Sequence, residues 1–326
     1  MFPAWGEGVA AGVAIAALWI AMAVDMLFGE PPARLHPVVW IGRYLGWAGR
    51  LAAPTSDAVA PKRDLKHFMA GALFWLAGAA IVFGVAWAWQ SLALQAPALF
   101  AALLLGLVLK PMLAWRMLRV EVLAVEAALA ESLDAGRARL RHLVSRDVTQ
   151  LDAAAVRESA IESLAENLND SVVAPIFWFV LCGLPGAAVY RFANTADAMW
   201  GYRGERGGRV WEWAGKWAAR ADDVLSWLPA RFAGVLMLLL AGRPPWRGLR
   251  TEAAHTPSPN SGWPMAAMAL ALGVRLGKPG VYALNAGGRA PGSADTLRAV
   301  ALCRRVVLAY VLLSSAAMIL MLPTTT

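Results

Sequence analysis

Three glutamates stand four residues apart in the run Arg157-Glu158-Ser159-Ala160-Ile161-Glu162-Ser163-Leu164-Ala165-Glu166-Asn167, which Asn169 and Asp170 close. On a helix that spacing lays Glu158, Glu162 and Glu166 along one face. Like charges so placed repel by about 0.2–0.5 kcal/mol per pair, so a compensating charge is expected. Mg2+ is one candidate, because it takes carboxylate oxygens together with substrate phosphates. A solvated helix face paired with Arg146 and Arg157 is the other. The abrupt change from this stripe to an apolar segment favours chemistry.

Further polar groups sit beside apolar stretches. Asn194 and Asp197 follow one such stretch and could coordinate a metal, bind a ligand amide, or cap a helical turn. Asp222-Asp223 could form a second metal or base site, or be ordinary surface. Arg231 could clamp phosphate with its planar fork, or reach for the membrane interface. His36-Pro37, with Asp25, Gly29 and Pro32, marks a compact turn, and a lone His is usually structural. His255 opens a loop in which Ser258 and Asn260 add a hydroxyl and an amide. The chain has no GxxxxGK[ST], no HExxH and no clustered cysteines, so any ATP binding uses an unusual site.

The elements that carry these residues are membranous. The 326 residues are 59% hydrophobic and 16% charged, with sixteen Trp; soluble domains carry about 25% charge, and Trp favours the membrane–water interface. The predicted fold is all-α: a polytopic integral membrane helical bundle forming a single domain over 1–326. Spans are expected at Val9–Phe28, His67–Trp89, Ala96–Leu118 (kinked at Lys110-Pro111) and Ala299–Leu322. The first reads as a retained span without a cleavable signal. A polar loop over Gly29–Lys66, with Arg34, Arg43, Arg50, Lys62 and Arg63, is assigned to the cytoplasm, and the uncharged Gln90–Gln95 link to the opposite side.

About 119–170 the chain reads as a cytoplasmic helical insert. Val120, Leu123, Ala127 and Ala130 mark one face, and Asp147 and Asp152 precede helix starts. Ser171–Phe192 is broken by Pro175 and Gly183-Leu184-Pro185-Gly186, so a broken or re-entrant helix is expected, with two short spans as the alternative. Leu228–Ala241 is too short to cross alone. Gly277–Pro291 reads as loop, the Thr tail as frayed, and Cys182 and Cys303 as buried thiols. The charge of +8 fits cytoplasmic loops and anionic lipid; with no nucleic-acid-binding motif, nucleic acid is not an expected partner.

Six blocks in order resemble the adenosylcobinamide-phosphate synthase family of cobalamin biosynthesis over nearly the whole chain. They are DMLFGEPPARLHPVVWIGR (Asp25–Arg43), RHLVSRD (Arg141–Asp147), IESLAENLNDSVVAP (Ile161–Pro175), GLPGAAVYRFANTADAMWGYR (Gly183–Arg203), ARADDVLSWLPAR (Ala219–Arg231) and HTPSPNSGWPMAAMA (His255–Ala269). Ser171, Tyr202 and Ser226 depart from the residues common in that family, and Gly277–Pro291 matches it poorly.

The resemblance implies a multi-pass inner-membrane ligase. It would join a carboxylate of adenosylcobyric acid to the amine of an aminopropanol phosphate or ethanolamine phosphate, using ATP and Mg2+, with the motif residues gathered at one cytoplasm-facing site. The resemblance marks these residues as matching positions; the roles inferred for them are metal binding by Glu162, Glu166, Asp170, Asp197 and Asp222, and catalysis by Glu166, Asp223 and His255. Substrate contacts fall to His36, Asn167, Asn194, Arg231, Ser258 and Asn260. Membrane lipid and other cobalamin-pathway enzymes are the remaining implied partners. A transporter and a non-catalytic signalling protein of the same fold are the rival readings. Polar residues flanking spans on one side, with no internal repeat, argue against the first. Linked Glu, Asp and Asn motifs argue against the second.

Overall fold

The structure, a computed structural model, describes residues 8–56, 63–244 and 248–321. Helix dominates, in the order α1 (Gly8–Phe28), α2 (Pro37–Ala52), α3 (Leu65–Ala93), α4 (Ala98–Leu109), α5 (Trp115–Glu131), α6 (Leu133–Leu140), α7 (Ala153–Leu168), α8 (Ala174–Trp200), α9 (Lys216–Leu240), α10 (Leu249–Ala253), α11 (Gly262–Leu272) and α12 (Ser293–Leu320). Two small antiparallel hairpins pair β1 (Glu205–Arg206) with β2 (Arg209–Val210), and β3 (Leu276–Lys278) with β4 (Tyr282–Leu284). Six helical stretches among the described residues are long and apolar enough to cross a membrane. The protein is an all-α polytopic membrane protein, as its composition predicts.

Several boundaries differ from the sequence reading. The polar segment after α1 is not a plain loop: His36 caps α2 by accepting from Val38 N (3.2 Å), and Pro37 starts the helix with a φ already suited to it. Lys62 of that segment, like Thr324–Thr326 of the tail, lies outside the described residues. The third apolar stretch breaks where expected, passing through a 3-10 turn at Lys110–Met112 before α5. On α5 the buried face is Trp115, Leu118, Val122 and Val125, while Val120, Ala127 and Ala130 are exposed. The apolar positions first singled out trace the wrong side of that helix, because Ala carries little directional signal. Asp147 starts no helix; its carboxylate accepts from Thr149 N (2.9 Å) within a turn. Asp152 does cap α7, accepting from Ala155 N at 2.8 Å. The Leu228–Ala241 run is the end of a 25-residue helix whose first turns hold the Asp pair. Gly277–Pro291 is not all loop but contains the β3–β4 hairpin. Cys182 is exposed and only Cys303 is buried.

The chain packs as two compact units, each assembled from distant segments. The first comprises residues 1–113, 174–225 and 314–326. Glycine lets its helices approach closely, as membrane helix packing requires. Gly78 of α3 faces Phe192 of α8 and Tyr44 of α2, and Gly106 of α4 meets Ile20 of α1. Aromatic rings fill the core: Trp75 meets Phe192 edge-on at 5.7 Å, and Trp200 stacks on Trp211 at 6.0 Å. The second unit comprises residues 114–173 and 226–313. Its central element is α7, against which α5, α6, α11 and β3 pack. A π-turn at Asn169–Val173 follows α7.

α8 is broken, as the Gly-Leu-Pro-Gly sequence predicts. Gly183 takes φ 68°, ψ −161°, a conformation essentially confined to glycine. The chain folds back there. A Cβ on Gly186 would stand 2.5 Å from the Trp178 carbonyl oxygen eight residues earlier, whereas eight residues of straight helix rise about 12 Å. Gln90 of α3 serves the opened turn, accepting from Leu184 N at 2.8 Å. Two variants test this joint. Gly183→Ala forces a side chain into a strained φ and against Gln90 and should cost about 1–3 kcal/mol. Gln90→Leu strands a buried amide and should cost about 1–3 kcal/mol. Both are read as a lowered thermal midpoint in detergent; parental midpoints for both would show that the break does not depend on this contact.

Candidate functional site

In the second unit the glutamate stripe of α7 is not a solvated face. Glu158 is 5% exposed and Glu162 is 1% exposed. Charges that deep need partners, and arginines from distant segments supply them. Arg275, just before β3, reaches Glu158 Oε1 at 3.0 Å, and Arg146 of the α6–α7 connection reaches Glu162 Oε2 at 3.1 Å. Arg157 does not pair with the stripe. It grips Glu126 of α5 with Nε (3.0 and 2.9 Å) and Nη2 (2.8 Å), and Thr296 Oγ1 of α12 donates to the same carboxylate (2.8 Å).

The Arg146–Glu162 pair is incomplete. Arg146 Nη1 and Glu162 Oε1 are both buried without a hydrogen-bond partner of normal geometry, although the Tyr282 hydroxyl interacts with the Glu162 carboxyl. Tyr282 of β4 lies beside Glu162 and Glu166; burial, then the Glu162 charge, pushes its phenol well above the usual range. One turn on, Asn167 Nδ2 donates to Ser163 O (2.9 Å), and Asn169 Nδ2 donates to Asp170 Oδ1 (2.9 Å).

The 255–260 loop of the same unit is held by Arg231 of α9. Its Nη1 donates to Asn260 Oδ1 (2.8 Å) and to Trp227 O (2.6 Å), and Nη2 donates to Pro259 O (3.2 Å). The guanidinium also lies over the rings of Trp227 and Trp263, at 4.2 and 4.8 Å. Ser258 Oγ accepts from Asn260 N and Ser261 N (3.2 and 3.3 Å). His255 stays exposed, its Nδ1 3.5 Å from Glu252 Oε2.

The first unit holds the other sequence-derived candidates. Asn194 and Asp197 lie one turn apart inside the end of α8, not in a capping turn; Asn194 Nδ2 reaches Asp222 Oδ1 of α9 at 3.5 Å. Arg203 lies within electrostatic reach of Asp223. His36 joins a chain of charges: His36 Nε2 to Glu30 Oε2 (2.9 Å), Glu30 Oε1 to Lys110 Nζ (3.0 Å), and Lys110 Nζ to Asp25 Oδ1 (3.4 Å). Because His36 Nδ1 accepts from Val38 N, Nε2 carries the proton and donates to Glu30. Glu30 and Lys110 also line a largely apolar cavity of about 820 Å³, bounded by Trp40, Val82, Trp89 and Phe192.

Thus Glu162, Glu166, Asn167 and Asp170 share one helix and its π-turn; Arg231, Ser258 and Asn260 form one loop clamp beside His255; and Asn194 meets Asp222. Among the described residues no group of three His, Cys, Asp or Glu side chains forms a metal cage. The sequence reading missed Tyr282, Arg275, Glu126, Lys110 and Glu30 as partners of the site. Tyr282 and Arg275 lie in or beside the segment that matched the family poorly, and only the fold brings them to α7.

The Arg146–Glu162 contact gives a direct test. Arg146→Met leaves Glu162 buried and unpaired and should cost about 3–5 kcal/mol, seen as a lower thermal midpoint in detergent. Adding Glu162→Gln should restore most of the loss. A single variant as stable as its parent would remove the pair from the structural account.

Comparison with known proteins identifies the family. The family model described as CobD/Cbib protein matches residues 18–308. The chain is 41% identical to the probable cobalamin biosynthesis protein CobD of Pyrococcus abyssi, covering 90% of this chain and 92% of the relative. It is 39% identical to the protein of that name from Methanothermobacter thermautotrophicus, covering 83% and 86%. It is 40% identical to the cobalamin biosynthesis protein CobD of Chromobacterium violaceum, covering 92% and 96%. No solved structure matches the chain. With that match over residues 18–308 and these identities, this chain belongs to the CobD/Cbib family.

Proposed function

We propose that this protein is a cobalamin-biosynthetic ligase of the cell inner membrane. It uses ATP to join a carboxylate of adenosylcobyric acid to an aminopropanol phosphate or ethanolamine phosphate, on the cytoplasmic side. The observation that carries the reading is the half-satisfied ion pair on α7. A buried guanidinium nitrogen and a buried carboxylate oxygen of the same pair both lack hydrogen-bond partners of normal geometry. Unsatisfied buried polar atoms call for an explanation. A nucleotide phosphate for Arg146 Nη1, with a cation for Glu162 Oε1, supplies both at once.

A carboxylate is a poor acyl donor. In the proposed reaction its oxygen attacks the ATP γ-phosphorus, ADP leaves, and an acyl phosphate forms. The amine then attacks the acyl carbon, the C–N bond forms, phosphate departs, and the amine proton passes to a base. Catalysis of phosphoryl transfer is mainly positioning and charge stabilisation. Arg146 and Arg275 supply fixed positive charge beside α7. Glu162, Glu166 and Asp170 form no ready-made cage, but each carries the hard oxygen donor that Mg2+ takes, and phosphate oxygens would supply the rest of a shell. Bound there, Mg2+ would neutralise phosphate charge.

In the same reading, within the second unit, His255 takes the amine proton, Asn260 hydrogen-bonds a corrin amide and Asn167 is a further substrate contact; Asp223 and Asn194 of the first unit remain a candidate base and a candidate substrate contact. Asp197 and Asp222 remain candidate metal donors of the first unit, and His36 a candidate substrate contact. Arg231 is assigned a different part from phosphate binding. Its hydrogen bonds and two indole faces are invested in the 255–260 loop, so it positions Ser258 and Asn260.

The test is ATP-dependent conversion of adenosylcobyric acid by purified protein. Glu166→Gln should lower turnover by at least about 100-fold, the scale of a lost catalytic carboxylate, with membrane insertion unchanged. Chelating Mg2+ should stop the wild-type reaction and its return should restore it. Near-normal turnover by Glu166→Gln would remove that residue from the chemistry; absence of any ATP-dependent amide product from the wild type would sink the reading.

A further inference from the structure

The second unit contains a cavity that the α7 ion pairs do not use. It measures about 330 Å³, at the small end of ligand cavities, which run about 300–1,000 Å³. Glu121 of α5, Arg139 of α6, His142 beyond α6, and Ser163 and Asn167 of α7 supply its polar lining. That size suits a ligand of few atoms and is too small for a macrocycle.

The polar groups are arranged in opposite pairs. Arg139 Nη2 donates to Glu121 Oε1 at 2.7 Å. Each member keeps an unused valence: Arg139 Nε and Glu121 Oε2 are buried without hydrogen-bond partners. An unused donor therefore lies next to an unused anionic acceptor, and His142 lines the same cavity. Asn167 spends its Nδ2 on Ser163 O and Ser163 Oγ (2.9 and 3.2 Å), which leaves its Oδ1 as an acceptor. A ligand completing this set carries an anion and a cationic donor a few bonds apart. A simple anion would leave Glu121 unsatisfied, and a simple amine would leave Arg139 unsatisfied.

We propose that this cavity is the binding site for the amino-alcohol phosphate, with the phosphate on Arg139 and His142 and the ammonium on Glu121. The assignment rests on the amide-synthesis reading and deepens it. Phosphate monoesters carry about −1.5 to −2 charge at neutral pH, which suits a guanidinium assisted by an imidazole. The site also abuts the acidic helix at the right place. Ser163 and Asn167 lie on the α7 face next to the Glu162–Glu166 stripe, since consecutive helical positions are about 100° apart. An amine bound here is one side-chain row from the carboxylates proposed to take Mg2+. The RHLVSRD block thereby gains two uses: Arg146 for the ion pair and His142 for the cavity. The same ammonium–phosphate chemistry occurs in a lipid headgroup, where the phosphate is a diester.

Calorimetric titration of purified full-length protein, without ATP or corrinoid, tests the site apart from turnover. O-Phosphoethanolamine should bind the parent. Arg139→Gln should weaken both O-phosphoethanolamine and inorganic phosphate at least about tenfold, the scale of one charge-assisted hydrogen bond. Glu121→Gln should weaken O-phosphoethanolamine at least about tenfold and leave inorganic phosphate unaffected. His142→Gln, which breaks no ion pair, keeps the test open if either charged variant fails to fold, and should show the same scale of loss for both ligands.

Three results overturn the site: no binding of O-phosphoethanolamine by the parent, parental affinity in the folded variants, or equally tight binding of glycerophosphoethanolamine, which would assign the cavity to lipid. Turnover separates the two proposals. Product formation with an unchanged KM for the amino-alcohol phosphate in all three variants removes the site and keeps the ligase. The expected binding pattern without any amide product removes the ligase and keeps the site.

Discussion

Hydrocarbon offers no solvent for a charge or an open backbone amide, and that constraint shapes this protein at each point where its helices depart from plain apolar packing. Lys110 is 3% exposed and Asp25 is 0% exposed. Each is tolerable because α1 ends beside the 3-10 turn after α4, and Glu30 joins them. The break in α8 is tolerable because Gln90 reaches the freed Leu184 amide. In both cases the partner comes from a helix distant in sequence. The polar contact therefore does more than satisfy an atom: it fixes which helices are neighbours.

The same logic governs α7. A helix with three glutamates along one face would ordinarily lie at a surface. Here it is the central element of its unit, and its carboxylates are reached by Arg275 and Arg146 from opposite ends of the chain segment that surrounds it. Ion pairs this deep are poor sources of net stability, because desolvation offsets much of the attraction. Their presence is better explained by what they hold ready. A pair that satisfied every atom would be structural. The Arg146–Glu162 pair leaves one donor and one acceptor over, and the Arg139–Glu121 pair does the same on the adjoining side of α7.

Much of this was legible in the sequence for identifiable reasons. Long apolar runs gave the helices, since a crossing needs about 20 residues. Gly-Leu-Pro-Gly gave the α8 break, because few residues tolerate φ near 68° with ψ near −161°. Glu158, Glu162 and Glu166 gave the stripe through their spacing alone. What sequence could not give was the far end of each contact. Arg275 is more than a hundred residues from Glu158, and the shallow β3–β4 hairpin that delivers it and Tyr282 carries no periodic signal over three-residue strands. The buried face of α5 is hard to read from sequence for a related reason. Alanine is apolar enough to suggest a core face and small enough to sit in solvent, so Ala127 and Ala130 pointed to the wrong side.

Arg231 and Arg146 show why residue type alone does not assign a role. Both are arginines in strongly motif-like segments, and either is chemically fit for phosphate. Arg231 is stacked against two indoles and donates to Asn260, Trp227 and Pro259. Moving it to meet a ligand would dismantle the loop that carries Ser258 and Asn260. Arg146 holds Glu162 with one nitrogen and keeps another buried and uncommitted. A binding site needs a group that is fixed in place before the ligand arrives and incomplete until it does. Arg231 meets only the first condition and Arg146 meets both, which is why Arg146 and not Arg231 is the proposed contact for nucleotide phosphate.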